Sequence, residues 1–259
     1  MLSHLLDGQV ALVTASTSGI GLETAAMMAQ SGARAVVING RNQASGEAAV
    51  REIRQRAPAA DLLFVPGDLT DPDAAQSLVD QAIERFGPPD VFMHCGGAQV
   101  HPDLFVRTSL EDARALLDGH FMALVNCCHA VVPRMVERGR GSIIVVASDA
   151  AKVATPGEAL IGACKAAAVM FTRALALEVS RHGVRANALT PSIVRNTKSH
   201  ARVMSAELSR KVFEKAEARA RLGVPVPSDI APLAVFLASP LAARITGQAI
   251  SVNGGISAA

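Results

Sequence analysis

Short apolar runs rich in β-branched residues alternate with segments of helical period along the whole chain. This alternation predicts an α/β fold, with a parallel sheet and helices on both of its faces. Val10 to Thr14, Ala35 to Ile38, Leu62 to Val65, Val91 to His94, Ile143 to Ala147, Arg185 to Leu189 and Ala249 to Val252 read as strands. Helices are predicted from the turn after Thr14 through Gln30, then over Ala44 to Arg56, Pro72 to Phe86 and Leu110 to Arg138. Two more are predicted near Glu158 to Arg181 and Asp229 to Ala238. The two longest have apolar faces wide enough to touch both the sheet and another subunit.

Pro191 to Pro227 carries mixed charge, with Met204, Leu208 and Val212 at helical spacing. Such an excursion reads either as a lid over a substrate cleft or as a solvated flap that only packs. No linker or internal repeat divides the 259 residues, so a single domain is expected.

Composition narrows the function. Hydrophobic residues make up 50% of the chain and charged ones 19%, so little can be disordered and a homo-oligomer is expected. The net charge of +2 is spread among acids and bases, which argues against a nucleic-acid partner. The opening MLSHLLDGQV has no leader pattern, and no later run of about eighteen residues is apolar and uncharged. A cytoplasmic protein without a membrane partner is the expectation. Cys95, Cys127, Cys128 and Cys164 form neither a CxxC pair nor a metal-ligand spacing, so they read as buried thiols and no metal is expected.

Directly after the first strand stands Thr14-Ala15-Ser16-Thr17-Ser18-Gly19-Ile20-Gly21, opening a helix. Glycine in such a turn lets the backbone approach a pyrophosphate, whose charge is favoured at the helix N-terminus. In this strand–turn–helix context the segment predicts a dinucleotide site. At the end of the second strand, Asn39-Gly40-Arg41 lacks the carboxylate that would bind the ribose hydroxyls of NAD. Arg41 can instead pair with a 2′-phosphate, which favours NADP, or it can stay solvated or stack on the adenine.

These and other segments resemble the classical short-chain dehydrogenase/reductase family over nearly the whole chain. Thr14 to Gly21 is similar to its TGxxxGxG turn, with Ala15 for the first glycine, and Gly67-Asp68-Leu69 to its adenine-contacting segment. Arg185-Ala186-Asn187, Pro191, Ile245 to Gln248 and Asn253-Gly254-Gly255 fit the same pattern. The resemblance implies a three-layer Rossmann domain with strand order 3-2-1-4-5-6-7, a dimer or tetramer built partly on the two long helices, and hydride transfer between NAD(P) and an alcohol or carbonyl. It places cofactor contacts at Thr14, Ser16, Ser18, Gly19, Ile20, Gly21, Arg41, Asp68, Leu69, Cys95, Gly96, Lys165 and Ile193.

The departures fall in the chemistry. Ser148 and Lys165 stand where the resemblance implies a catalytic serine and lysine, but Ile161 stands where the YxxxK motif would place tyrosine. The chain has no tyrosine at all. His120 replaces an expected asparagine, and His94-Cys95-Gly96-Gly97 replaces NNAG. Loss of a general acid costs about 10²- to 10⁴-fold in rate. His120 could replace the phenol, because imidazole titrates near neutrality, or could be a packed histidine; Lys165 could do so, or only hold a ribose. Asp149 and Glu158 stand in reserve, each also able to cap a helix start. Ser148 can stabilise charge on a substrate oxygen or bond nearby backbone.

An NADP-linked oxidoreductase with a substitute proton donor is the leading expectation. A lyase or isomerase on the same scaffold and a non-catalytic NADP-binding subunit are the alternatives. Ala150, Val153, Ile161 and Ile193 suggest a mostly apolar small-molecule substrate.

Overall fold

The apolar runs form β1 (Val10–Val13), β2 (Ala35–Gly40), β3 (Asp61–Pro66), β4 (Val91–His94), β5 (Gly141–Val146), β6 (Val184–Thr190) and β7 (Ala249–Ser251). All seven are parallel, in the order β3-β2-β1-β4-β5-β6-β7 that the resemblance implies. This architecture comes from a computed structural model that describes residues 4–259; Met1 to Ser3, the first residues of the segment searched for a leader, lie outside them.

Side chains alternate across a strand, so each central strand feeds two cores. Ala11, Val13, Ile144 and Val146 pack into one layer, whereas Leu12, Ile143 and Val145 enter the other. The first layer is closed by α1 (Gly19–Gln30), α2 (Gln43–Arg56) and a late helix at Pro227–Ala238. The second is closed by α3 (Pro72–Phe86), a helix at Ala123–Arg138 and another at Ala159–Val179. Local signals set the ends. Asp71 accepts the Asp73 N–H at 3.0 Å and Pro72 opens α3, while Gly139 stops the Ala123–Arg138 helix in the left-handed conformation at φ 68°.

Where the spacing predicts one helix over Leu110 to Arg138, the rod is interrupted. It runs as α4 (Leu110–Leu117), a π turn at Asp118–Met122, and α5 (Ala123–Arg138). Gly119 explains the site of the break: a Cβ there would stand 2.9 Å from the Cα of Ala98, so the turn lies directly on the loop after β4. By length and composition this rod and Ala159–His182 could each cross a membrane, with mean hydropathies of 1.4 and 1.6. In the fold α5 packs with α3, and α6 (Ala159–Val179) packs on β6.

Residues 191–227 fold into α7 (Lys198–Ser205) and α8 (Glu207–Glu217) before α9 (Pro227–Ala238). One carboxylate ties this excursion together. Glu217 accepts from Arg195 at 2.7 Å and pairs with His200 at 3.1 Å, and the Arg195 N–H donates to Pro225 O.

Candidate active site

The strand order reverses between β1 and β4, and open α/β sheets bind ligands outside the carboxyl ends of the strands at such a point. Here β1 gives way to α1 through a tight turn. Ala15 adopts φ 48°, a left-handed conformation that suits glycine, and Gly21 is required because a Cβ there would lie 2.7 Å from Ala15 O. Ser18 precedes α1 without capping it by its side chain. The first N–H groups of α1, from Gly19, Ile20 and Gly21, therefore have neither helical nor capping partners and suit a phosphate.

Two sequence candidates in this turn have side chains that face inward. Ser16 is fully buried: its Oγ donates to Val13 O at 2.6 Å and accepts the Asn39 N–H at 3.1 Å, so it braces the turn from within. Thr14 is also fully buried, with Oγ1 paired to His94 Nδ1 at 3.1 Å and accepting the Cys95 N–H at 3.3 Å. Both hydroxyls are consumed by the scaffold. Residues missed by the sequence reading stand at the mouth instead. Thr17 packs its methyl where Gly40 has no Cβ, and Thr197, the cap of α7, lies against Gly19 in the same way.

At the far end Arg41 reaches Asp68 at 3.5 Å, uniting two residues 27 positions apart. Burial, the largest influence on Asp68, raises its pKa, but hydrogen bonds from Thr70 together with Arg41 hold it below the ordinary value. Leu69 is buried, and Asn126 of α5 donates to the carbonyls of Leu69 and Thr70 at 3.1 Å each. A lone asparagine on an apolar helix gave no sign of that role.

The reactive end lies beyond β4 and β5. Ser148 caps a short 3-10 turn, Asp149–Ala151, by accepting the Ala150 N–H at 3.2 Å; its own O–H is left to donate. Lys165, buried on α6, donates to Val146 O at 3.0 Å and Gly96 O at 3.4 Å. Burial lowers its ammonium to about 8. Ile161 lies one turn earlier and lines a cleft with His101, Pro102, Asp103, Phe105, Thr108 and Leu116, so the apolar surroundings expected there are joined by an imidazole, a carboxylate and a hydroxyl. Ile193 is buried. Burial pushes the Cys95 thiol up to about 12 and also raises Cys164, which leaves both protonated at neutral pH.

His120 is packed against the loop after β4. It sits in the π turn against Gly97, whose missing Cβ would lie 2.8 Å from the ring, and its Nδ1 is buried without a hydrogen-bond partner among the described residues. Burial, followed by the charges of Lys165, His94 and Arg202, drives its pKa down to about 3. Burial thus favours the neutral ring at physiological pH, which counts against an imidazolium acid there. His94 is likewise pushed to about 3, chiefly by burial. Asp149 is engaged by its Oδ2, which accepts from Ser257 at 2.6 Å and Asn253 at 3.1 Å and ties down the segment after β7. Burial raises Glu158 to about 7, against a hydrogen bond from Thr155.

A family model described as enoyl-(acyl carrier protein) reductase matches residues 14–257. The chain belongs to the short-chain dehydrogenase/reductase family. Relatives of this short-chain dehydrogenase/reductase include the 3-oxoacyl-[acyl-carrier-protein] reductase of Synechocystis sp., 32% identical over 97% of this chain and 98% of that protein. The 2,5-dichloro-2,5-cyclohexadiene-1,4-diol dehydrogenase LinX of Sphingobium indicum is 34% identical over 98% of each. Among solved structures, gox2181 aligns with a TM-score of 0.89 and 27% identity over 99% of both chains. A short-chain dehydrogenase/reductase from Mycobacterium ulcerans aligns with the same score and 26% identity, over 97% of this chain and 90% of that one. The family is one of oxidoreductases that act on carbonyl and hydroxyl groups, so this short-chain dehydrogenase/reductase is an enzyme of that class.

Proposed function

We propose that the chain is an NADP(H)-dependent oxidoreductase acting on a carbonyl or alcohol, in which Lys165 supplies the proton usually delivered by a phenol. The observation that carries this reading is the Lys165 ammonium, buried, facing the ends of β4 and β5, and anchored by two carbonyls instead of a carboxylate. Desolvation makes it a better acid than an ordinary lysine, yet leaves it protonated at neutral pH. Ser148 can donate its O–H to the substrate oxygen and stabilise developing charge. His120, being neutral, can hold a hydrogen bond at the cleft but not initiate proton delivery.

The chain's residues fit the dinucleotide. The uncapped start of α1 suits the pyrophosphate, and Arg41 stands where a 2′-phosphate would meet it. When bound, the nicotinamide supplies or accepts the hydride. Residues 191–227 serve as the lid, and the exposed Met170 and Leu177 of α6 form part of a homo-oligomeric contact.

The test is nicotinamide absorbance with a panel of ketones, aldehydes and alcohols. Turnover in the native chain, together with its loss in Lys165→Met under saturating cofactor, is the expected result. Product formation without net absorbance change would overturn the reading in favour of a lyase or isomerase. Cofactor binding without any turnover would favour a non-catalytic subunit.

A further inference from the structure

Three successive residues after β4 are each met by a basic side chain from a different part of the chain. Gly96 O accepts from Lys165 of α6 at 3.4 Å. Gly97 lies under the ring of His120 from the π turn. Ala98 O accepts from Arg202 of α7, also at 3.4 Å. The glycines allow this: any side chain at position 97 would strike the imidazole.

The charges in this row are not balanced from within. Lys165 is bonded to carbonyls, and the adjacent Cys95 and Cys164 are held as neutral thiols. Arg195 of the same excursion is paired with Glu217, but Arg202 has no carboxylate partner among the described residues. Its charge is close enough to His120 to oppose protonation of that ring, and Nδ1 of His120 remains a buried polar atom without a partner. Two cations and an open imidazole nitrogen thus border one strip of backbone.

We propose that this strip reads an acidic substrate, with Arg202 pairing the carboxylate of an oxo or hydroxy acid whose reacting carbon lies at the Lys165 and Ser148 end. The assignment rests on the oxidoreductase reading above, and it names the substrate class. Gly96 and Ala98 are two residues apart, so the backbone that anchors the two basic groups spans at most roughly 7 Å between them. That spacing suits a short oxo acid. An arginine fork is the side chain best matched to a carboxylate, and its position on α7 makes the proposed lid itself part of substrate recognition.

The experiment is calorimetric titration of the NADP-loaded protein with short α-, β- and γ-oxo carboxylates and their methyl esters. At least one acid should bind about ten- to hundredfold more tightly than its ester, as a charge-assisted pair would give. Arg202→Met should bring that acid-to-ester ratio close to one, and Arg202→Lys should restore part of it; melting curves and NADP affinity report on folding. Equal binding of acid and ester, equal weakening of both by Arg202→Met, or no binding of any acid overturns the proposal. Acid selectivity without turnover would sink the oxidoreductase reading and leave this one standing. Turnover of neutral ketones without acid selectivity would do the reverse.

Discussion

The ammonium of Lys165 donates to the carbonyl of Val146 at 3.0 Å, so α6 is pinned to the end of β5 by a charge that no acid among the described residues neutralises. Burying it has a cost. Its pKa drops from 10.5 to about 8, so between those values the unfolded chain holds a proton that the native chain has released. Stability therefore rises with pH across that window and is lowest below pH 8, where both states are charged.

At neutral pH the shift corresponds to roughly 3 kcal/mol of destabilisation. Replacing Lys165 by methionine is expected to recover part of it, raising the melting temperature, and to flatten the alkaline rise. Thermal melts at several pH values check this, and an unchanged profile would show that Lys165 is not buried as a cation.

Ile161 lines the cleft one turn from Lys165. Ile161→Tyr should return a phenol to that position, where the lysine can lower its pKa. The expected gain in carbonyl reduction is about 10²- to 10⁴-fold, read as nicotinamide oxidation. No gain, with cofactor binding intact, would mean that residue 161 does not face the reacting carbon.

His94 and His120 are neutral in the native protein down to about pH 3, whereas unfolded histidine protonates near 6.5. The unfolded chain binds the extra protons, so stability is lost as pH falls from 6.5 toward 3, by up to about 1.4 kcal/mol per pH unit for each ring. Glu158, raised from 4.5 to about 7, acts in the opposite sense: the native state takes its proton first and gains stability as pH falls from 7 to 4.5. The acid limb should steepen below about pH 4.5, where that offset ends. His120→Asn is expected to make it shallower in chemical denaturation series from pH 7 to pH 4; an identical limb would refute the neutral buried ring.

Ala15 is exposed and left-handed at φ 48°. An L-residue there is strained by roughly 1–2 kcal/mol, so Ala15→Gly should stabilise the fold, by about 0.5–1 kcal/mol after glycine's larger unfolded-state entropy. For a domain of this size the melting temperature should rise by about 1–4 °C. A decrease would show that the strain is relieved elsewhere.

The periodicity of apolar positions located every strand, because the central runs are buried from both faces and the edge runs β3 and β7 keep the same short apolar pattern. Strand order came from the family resemblance, since spacing alone does not say that β4 lies beside β1. Ser148 and Lys165 were found by position in a motif. The fates of Thr14, Ser16 and His120 were not legible: each depends on partners such as His94, Asn39 and Gly97 that are brought in by distant segments. Arg202 was hidden for the same reason, as one charge in a segment of mixed charge whose target, Ala98, is 104 positions away.

The π turn at Asp118–Met122 gives the rod from Leu110 to Arg138 one residue more than a regular helix of equal rise. Each residue of an α-helix advances the direction of its side chains by about 100°. Deleting one position in this turn would spin α4 by that angle against α5, turning Leu116 out of its buried seat and swinging the imidazole away from Gly97. The surplus residue acts as a phase shifter, letting one rod serve the sheet with one register and the cleft with another.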